Sequence, residues 1–303
     1  MRSASLVAGD WGTSHLRLFL CDADGAVLER RTGPGAAEAR NRFDAVFDGL
    51  AGDWIRAQPN LPAILCGMVG SNFGWIEAPY VTCPARADQI AAQARRIGNR
   101  NIHIVPGLRC RNRFDAPDRL RGEETQILGA LQVLQAGTHV LCMPGTHTKW
   151  VLIEGGQIRE FFTSATGEVF ALLKSHSVLV PQDESENFDE AAFAEGLAQV
   201  NRFPHAQWLH RVFECRSRRL AGELADGEAT GFLSGLTIGS DVAGALPWLT
   251  ESGSSGPIQV IGDQRLTTLY AKTLASYQRP TQTHDGEAAA LAGLLHLKRL
   301  LHG

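Results

Sequence analysis

The chain lacks any apolar run long enough to cross a bilayer. Its longest, Ala288 to Leu295, falls far short of the ~20 residues that a spanning helix needs. It has no strong excess of one charge either: 29 basic and 32 acidic residues leave a net charge of -3. That balance excludes a nucleic-acid binder working by general phosphate neutralisation, but not a small anion held by a few groups. Cysteine is sparse, and Cys21, Cys66, Cys83, Cys110, Cys142 and Cys215 are scattered without a CxxC pair. This fits reduced thiols and argues against a disulfide framework or a zinc site. Between Met1 and Asp10 no basic stretch leads into a long apolar segment, so no signal peptide is read and a cytoplasmic protein is expected. The phosphate loop GxxxxGK(S/T) and the nucleophile elbow GxSxG are also missing. The nearest GxGxxG, Gly33 to Glu38, carries Pro34 inside it and Glu38 in place of the third glycine.

What is present is apolar mass. Hydrophobic residues make up 44% of 303, enough for a large core, and at about 150 residues per domain the length suggests two domains. The N-terminus reads as a strand meander. Ser5 to Asp10 is apolar, His15 to Asp22 alternates, Asp24-Gly25 marks a hairpin, and Ala26 to Thr32 supplies a third strand. The same grammar returns at His139 to Met143, Thr148 to Ile153 and Ile158 to Thr163, with little identity between the copies. The repeat sets the expected boundary at 1–137 and 138–303. Apolar spacings of three and four predict helices over Arg42 to Arg56, Asp88 to Ile97, Gly122 to Leu134, Ala206 to Glu214, Asp226 to Ala245, Gln264 to Ser276 and Gly286 to about Leu300.

Each meander turns through small polar residues. The first strand ends on Asp10 and enters Gly12-Thr13-Ser14, and the second turn is Gly145-Thr146-His147-Thr148-Lys149. Either turn alone is an ordinary hairpin. As a pair opening two similar blocks they suit phosphate binding, because successive N–H groups and hydroxyls can face one anion while Asp10 holds Mg²⁺ through water. Arg121-Gly122-Glu123-Glu124 opens a helix just before the second block. First-turn acids are favoured by the helix dipole, and the same position suits a general base for a sugar hydroxyl. The glycine-rich run from Gly67 to Trp75 offers Ser71, Asn72 and Trp75 to a polyhydroxylated ligand, or simply packs Trp75.

These motifs resemble the sugar-kinase branch of the actin, hexokinase and Hsp70 ATPase superfamily. The strings GMVGSNFGW (67–75), RGEETQ (121–126), MPGTHTKWV (143–151), TGE (166–168) and FLSGLTIG (232–239) resemble the 2-dehydro-3-deoxygalactonokinase family over nearly the whole chain. The resemblance implies an α/β chain of two ribonuclease-H-like domains of the actin-like ATPase type with an interdomain ATP cleft. The sugar side would lie in 1–137 and the nucleotide side in 138–303. It implies an ATP- and Mg²⁺-dependent phosphotransferase with an alcohol acceptor, acting on the 6-hydroxyl of 2-dehydro-3-deoxy-D-galactonate in galactonate catabolism. Glu123 would be the catalytic base, although many relatives have Asp there, and Asp10 would carry Mg²⁺ through water. The turns Gly12-Thr13-Ser14 and Gly145 to Lys149 would hold phosphate, and Gly235, Gly239, Gly262 and Asp263 would lie on the adenosine side. Ser71, Asn72, Trp75, Arg121, Glu124, Thr166 and Glu168 would serve the substrate. The partners would be the sugar acid and ATP, with no nucleic acid and no membrane. A related 2-oxo-3-deoxy sugar acid or a phosphohydrolase on the same fold stays open as an alternative. A sugar-sensing regulator would need a DNA-binding module, for which the strand-forming N-terminus leaves no room.

Overall fold

The structure is a computed structural model that describes residues 3–181, 188–203 and 207–302. Strands β1 (Ala4–Trp11), β2 (His15–Asp22) and β3 (Val27–Pro34) form the expected antiparallel meander. β1 is interior and its middle is buried on both faces, which its continuous apolar stretch anticipates. β3 is the outer edge and carries Glu29, Arg30 and Arg31, charges that discourage pairing with another strand. Helix α1 (Phe43–Ala57) buries Phe43, Phe47, Ala51 and Trp54 from one face, as its spacing dictates. Strand β4 (Ala63–Cys66) is fully buried and runs parallel to β1, with Asp10 beside Cys66.

The first sheet is completed by β6 (Arg95–Arg96) and β7 (Ile102–Ile104), giving the order β3-β2-β1-β4-β7-β6. Here the expected helix to Ile97 is corrected: α2 spans only Ala87–Ala92. Gly98, with φ of 49°, turns the chain so that Arg95 and Arg96 pair antiparallel with Ile104 and His103. Pairing with a distant strand overrides the local helical spacing. A three-stranded sheet of β5 (Tyr80–Thr82), β8 (Gly107–Arg111) and β9 (Pro117–Leu120) was not legible in the sequence. Helix α3 (Glu123–Ala130) is shorter than expected, and turns carry the chain on to Leu134.

The second sheet has the order β12-β11-β10-β13-β14, from β10 (Thr138–Met143), β11 (Thr148–Glu154), β12 (Gln157–Ser164), β13 (Ile258–Gly262) and β14 (Thr281–Asp285). As in the first sheet, the opening strand of the meander gains a parallel neighbour, here β10 with β13. The helices are α4 (Thr166–His176), α5 (Glu190–Arg202), α6 (Trp208–Arg211), α7 (Glu214–Leu220), α8 (Ala229–Glu251), α9 (Gln264–Ser276) and α10 (Gly286–His302). The helix expected over 206–214 is two short helices, and Ala206 lies outside the described residues.

By contacts the chain clusters into two compact units. Residues 1–137, 152–161 and 284–303 make the first, and residues 138–151 and 162–283 the second. No helix among the described residues is long and apolar enough to cross a membrane.

Candidate functional site

In the first unit, β1 delivers Asp10 to the rim of a hollow of about 160 Å³, lined also by Arg121, Gly122, Glu123, Thr125, Gln126 and Ala290. Three close approaches build it. Gly67 follows β4 with φ of 92°, and a Cβ there would meet the Trp11 carbonyl oxygen at 2.8 Å. Gly122, with φ of 107°, lies against Gly67 and opens α3. Gly129 and Gly293 let α3 and α10 touch through their backbones, since a Cβ on either would strike a carbonyl of the other helix. A side chain has no room at Gly67, Gly129 and Gly293, and the positive φ of Gly67 and Gly122 favours glycine at those two.

Asp10 is half-buried and meets Arg17 Nη1 at 3.4 Å. Loss of solvent raises its carboxyl above the ordinary range, Arg17 pulls it back, and nearby Glu287 pushes it up again. Glu287, on the first turn of α10, holds Arg30 at 2.5 Å and lies 4.0 Å from Arg17. The motif search missed Glu287. Its only sequence signal is an acid on the first turn of the last helix. The Gly12-Thr13-Ser14 turn closes with Gly12 N–H donating to the His15 carbonyl at 2.9 Å, and the N–H groups of Ala36 and Ala37 satisfy the carbonyls of Gly12 and Thr13. The tip, Thr13 and Ser14, is exposed.

The two glutamates at the head of α3 part company. Glu123 lines the hollow, and its Oε2 accepts the Arg121 N–H at 3.0 Å. Glu124 is 0% exposed, and its Oε2 accepts the Gly122 N–H at 2.6 Å. Its Oε1 has no hydrogen-bond partner among the described residues. Burial, reinforced by the neighbouring Glu123 charge, pushes its carboxyl up to about 8. Arg121 lays its guanidinium over Tyr80 at 4.3 Å and donates to the Ala78 carbonyl at 2.8 Å. Ser71 is buried, Asn72 is exposed, and Trp75 is partly buried against Trp11 and Phe47 with its Nε1 donating to Asp44 at 3.0 Å.

The second unit holds a larger hollow of about 320 Å³, lined by Gly145, Thr166, Gly167, Phe170, Ser234, Thr237, Asp263, Arg265 and Tyr270 among others. A Cβ on Gly145 would meet open space, so the turn backbone is bare there. The tip residues Thr146 and His147 are exposed, whereas Thr148 and Lys149 are only 1% and 5% exposed. Glu168 donates its N–H to the Thr146 carbonyl at 2.8 Å and its carboxylate meets His147 Nε2 at 2.7 Å. Thr166 and Glu168 thus stand beside the second turn. Asp263 caps α9 by accepting the N–H groups of Arg265 and Leu266, and Gly262 brings it there at the end of β13. Gly235 and Gly239 face α5, where their missing side chains admit Phe193 and Leu197. Ser234, Thr237 and Ile238, on the same helix, face the hollow. A third group, Asp241 with Tyr270, escaped the motif search because its members are far apart in sequence.

Among the described residues no group of three His, Cys, Asp or Glu side chains could hold a metal. The donor set fits a hard cation that keeps its waters and takes one carboxylate plus substrate phosphates, which is how Mg²⁺ binds.

The model of the family described as 2-keto-3-deoxy-galactonokinase matches residues 10–297. A Rhizobium meliloti protein assigned 2-dehydro-3-deoxygalactonokinase activity is 40% identical over 295 residues, covering 95% of this chain and 94% of the relative. The 2-dehydro-3-deoxygalactonokinase of Escherichia coli K12 is 35% identical over 298 residues, covering 96% and 94%. The crystal structure of a Sinorhizobium meliloti protein assigned the same activity superposes with a TM-score of 0.89 at 37% identity, covering 98% of this chain and 99% of that one.

Proposed function

The chain belongs to the 2-keto-3-deoxy-galactonokinase family, an ATP-using sugar-acid kinase family on the actin-like ATPase fold, and we propose how its residues divide the work. The observation that carries the assignment is the hollow of the first unit, where one strand end and one helix start bring Asp10 and Glu123 to the same rim. Phosphoryl transfer asks for positioning and charge stabilisation more than for covalent chemistry, and this pair supplies both.

Glu123 accepts the proton of the substrate's 6-hydroxyl as the γ-phosphoryl group leaves ATP, and the bond to the Arg121 N–H fixes the carboxylate's direction. Asp10 would hold Mg²⁺, and Arg17 Nη1 donates to that carboxylate at 3.4 Å. Mg²⁺ supplies charge neutralisation on the phosphates when bound. The Thr13-Ser14 tip of the turn that Gly12 closes, and the backbone at Gly145-Thr146-His147, present N–H groups to phosphate oxygens. Ser71, Asn72 and Trp75 are assigned to the sugar-acid side, with Arg121 as the cation for its carboxylate. Asp263 belongs to the adenosine side, and Thr166 and Glu168 belong to the nucleotide side on which they stand. Glu124 is too deeply buried to touch substrate and is assigned to shaping the Gly122 turn.

A coupled ATP assay over a panel of 2-oxo-3-deoxy sugar acids tests this reading, with the product position read by phosphorus-coupled NMR. Turnover is expected only with ATP, Mg²⁺ and acceptor together, with 2-dehydro-3-deoxy-D-galactonate the best acceptor and the phosphate on its 6-oxygen. ATP breakdown at the same rate without an acceptor would establish a phosphohydrolase instead.

A further inference from the structure

Asp241 sits in the middle of α8, two residues past the FLSGLTIG string and outside every motif above. Its Oδ2 accepts the Tyr270 hydroxyl at 2.6 Å and the Thr166 hydroxyl at 2.7 Å, and its Oδ1 accepts Trp150 Nε1 at 3.0 Å. Tyr270 Oη in turn lies 2.8 Å from Thr148 Oγ1. A hydroxyl has one proton to give. Tyr270 gives its proton to Asp241, so Thr148 donates to Tyr270, and the direction of the chain is fixed by the carboxylate at its end. Thr166 commits its proton to Asp241 in the same way.

The two arms reach both flanks of one turn. Thr148 begins β11, the strand on which the Gly145–His147 tip ends. Thr166 begins α4, whose next residues, Gly167 and Glu168, pack on Gly145 and bond Thr146. Among the described residues the tip itself is held by α4 alone, through the Glu168 N–H on the Thr146 carbonyl and the Glu168 carboxylate on His147, and a Cβ on Gly145 would touch nothing. One carboxylate therefore clamps the strand side and the helix side of an otherwise exposed turn. Tyr270 and Thr166 also form part of the wall of the 320 Å³ hollow.

We propose that Asp241 is a positioning residue for ATP, setting the second phosphate turn through Tyr270 and Thr148 and the hollow's wall through Thr166. This rests on the reading that the Gly145–His147 turn meets the phosphates of ATP. Asp241→Asn keeps the shape but sets an amide N–H against one of the donors, so the arms can no longer all be satisfied.

The test is steady-state kinetics of the full chain, with ATP and the sugar acid each varied. Asp241→Asn is expected to raise KM for ATP by about tenfold or more and to leave KM for the sugar acid within about twofold. Tyr270→Phe and Thr148→Val should shift KM for ATP in the same direction. Tyr270→Phe added to Asp241→Asn should cost little more, because both cut one chain. A merely structural role would lower kcat through loss of active molecules while KM for ATP stays fixed, and that result overturns the proposal. If Asp241→Asn does not fold, Tyr270→Phe and Thr148→Val decide alone, and an unchanged KM for ATP in both overturns it. Gly145→Asp, which places a carboxylate on the turn, separates the two readings. If it leaves KM for ATP unchanged, the phosphate reading itself has failed. If it raises KM for ATP and the other three variants do not, only the role of Asp241 has failed.

Discussion

Glu124→Gln isolates one proton. The Glu124 side chain has no contact with solvent, and burial moves its carboxyl from 4.5 to about 8. Below the unfolded value both states carry the proton, so folding is not penalised. Between the two values the unfolded chain has released its proton and the folded chain still holds it, so stability falls as pH rises and the loss is complete above about 8. From about pH 5 to about pH 8 this single group removes on the order of 3–4 kcal/mol from the parent, because each pH unit costs about 1.4 kcal/mol per proton held. Glutamine has no proton to hold, and its amide oxygen can still accept the Gly122 N–H. Burying the amide hydrogens where Oε1 finds no partner costs about 1–3 kcal/mol, but that cost does not vary with pH. Urea melts of parent and variant at several pH values measure the difference, in which titrating groups that do not interact with Glu124 cancel. The variant is expected to gain on the parent steadily as pH rises across this window. Parallel curves would show that Glu124 is ionised in the folded state and would refute the reasoning.

Three further outcomes are expected. Glu123→Gln should lower kcat by about 10² or more, the typical worth of general-base help, with ATP affinity nearly unchanged. If Glu124→Gln is the inactive one and Glu123→Gln is nearly normal, the base is the other glutamate. Asp10→Asn should abolish turnover while the circular dichroism and melting curve stay those of the parent. A kcat close to the parent's at saturating Mg²⁺ would count against its place beside the metal. Gly129→Ala should destabilise the fold by about 1–3 kcal/mol or more, because its Cβ would strike the Ala289 carbonyl across the α3–α10 contact. A melting midpoint equal to the parent's would contradict that packing.

Local chemistry alone determined a large part of this protein. Alternation and turn residues marked both meanders, and spacings of three and four marked α1, α9 and α10 within a residue or two. The small polar turns after β1 and β10 were legible as turns, because such turns depend only on neighbouring residues. Tertiary structure alone decided what distant segments do to one another. Arg95 and Arg96 form a strand because β7 is there to pair with them. Glu123 and Glu124 are identical and adjacent, and only packing turns one to the hollow and buries the other, since neighbours on a helix point about 100° apart. The glycines of α8 read like ligand contacts and instead admit α5. Thr148 and Tyr270 stand 122 residues apart in sequence and meet through their hydroxyls, so no pattern of spacing could have joined them to Asp241.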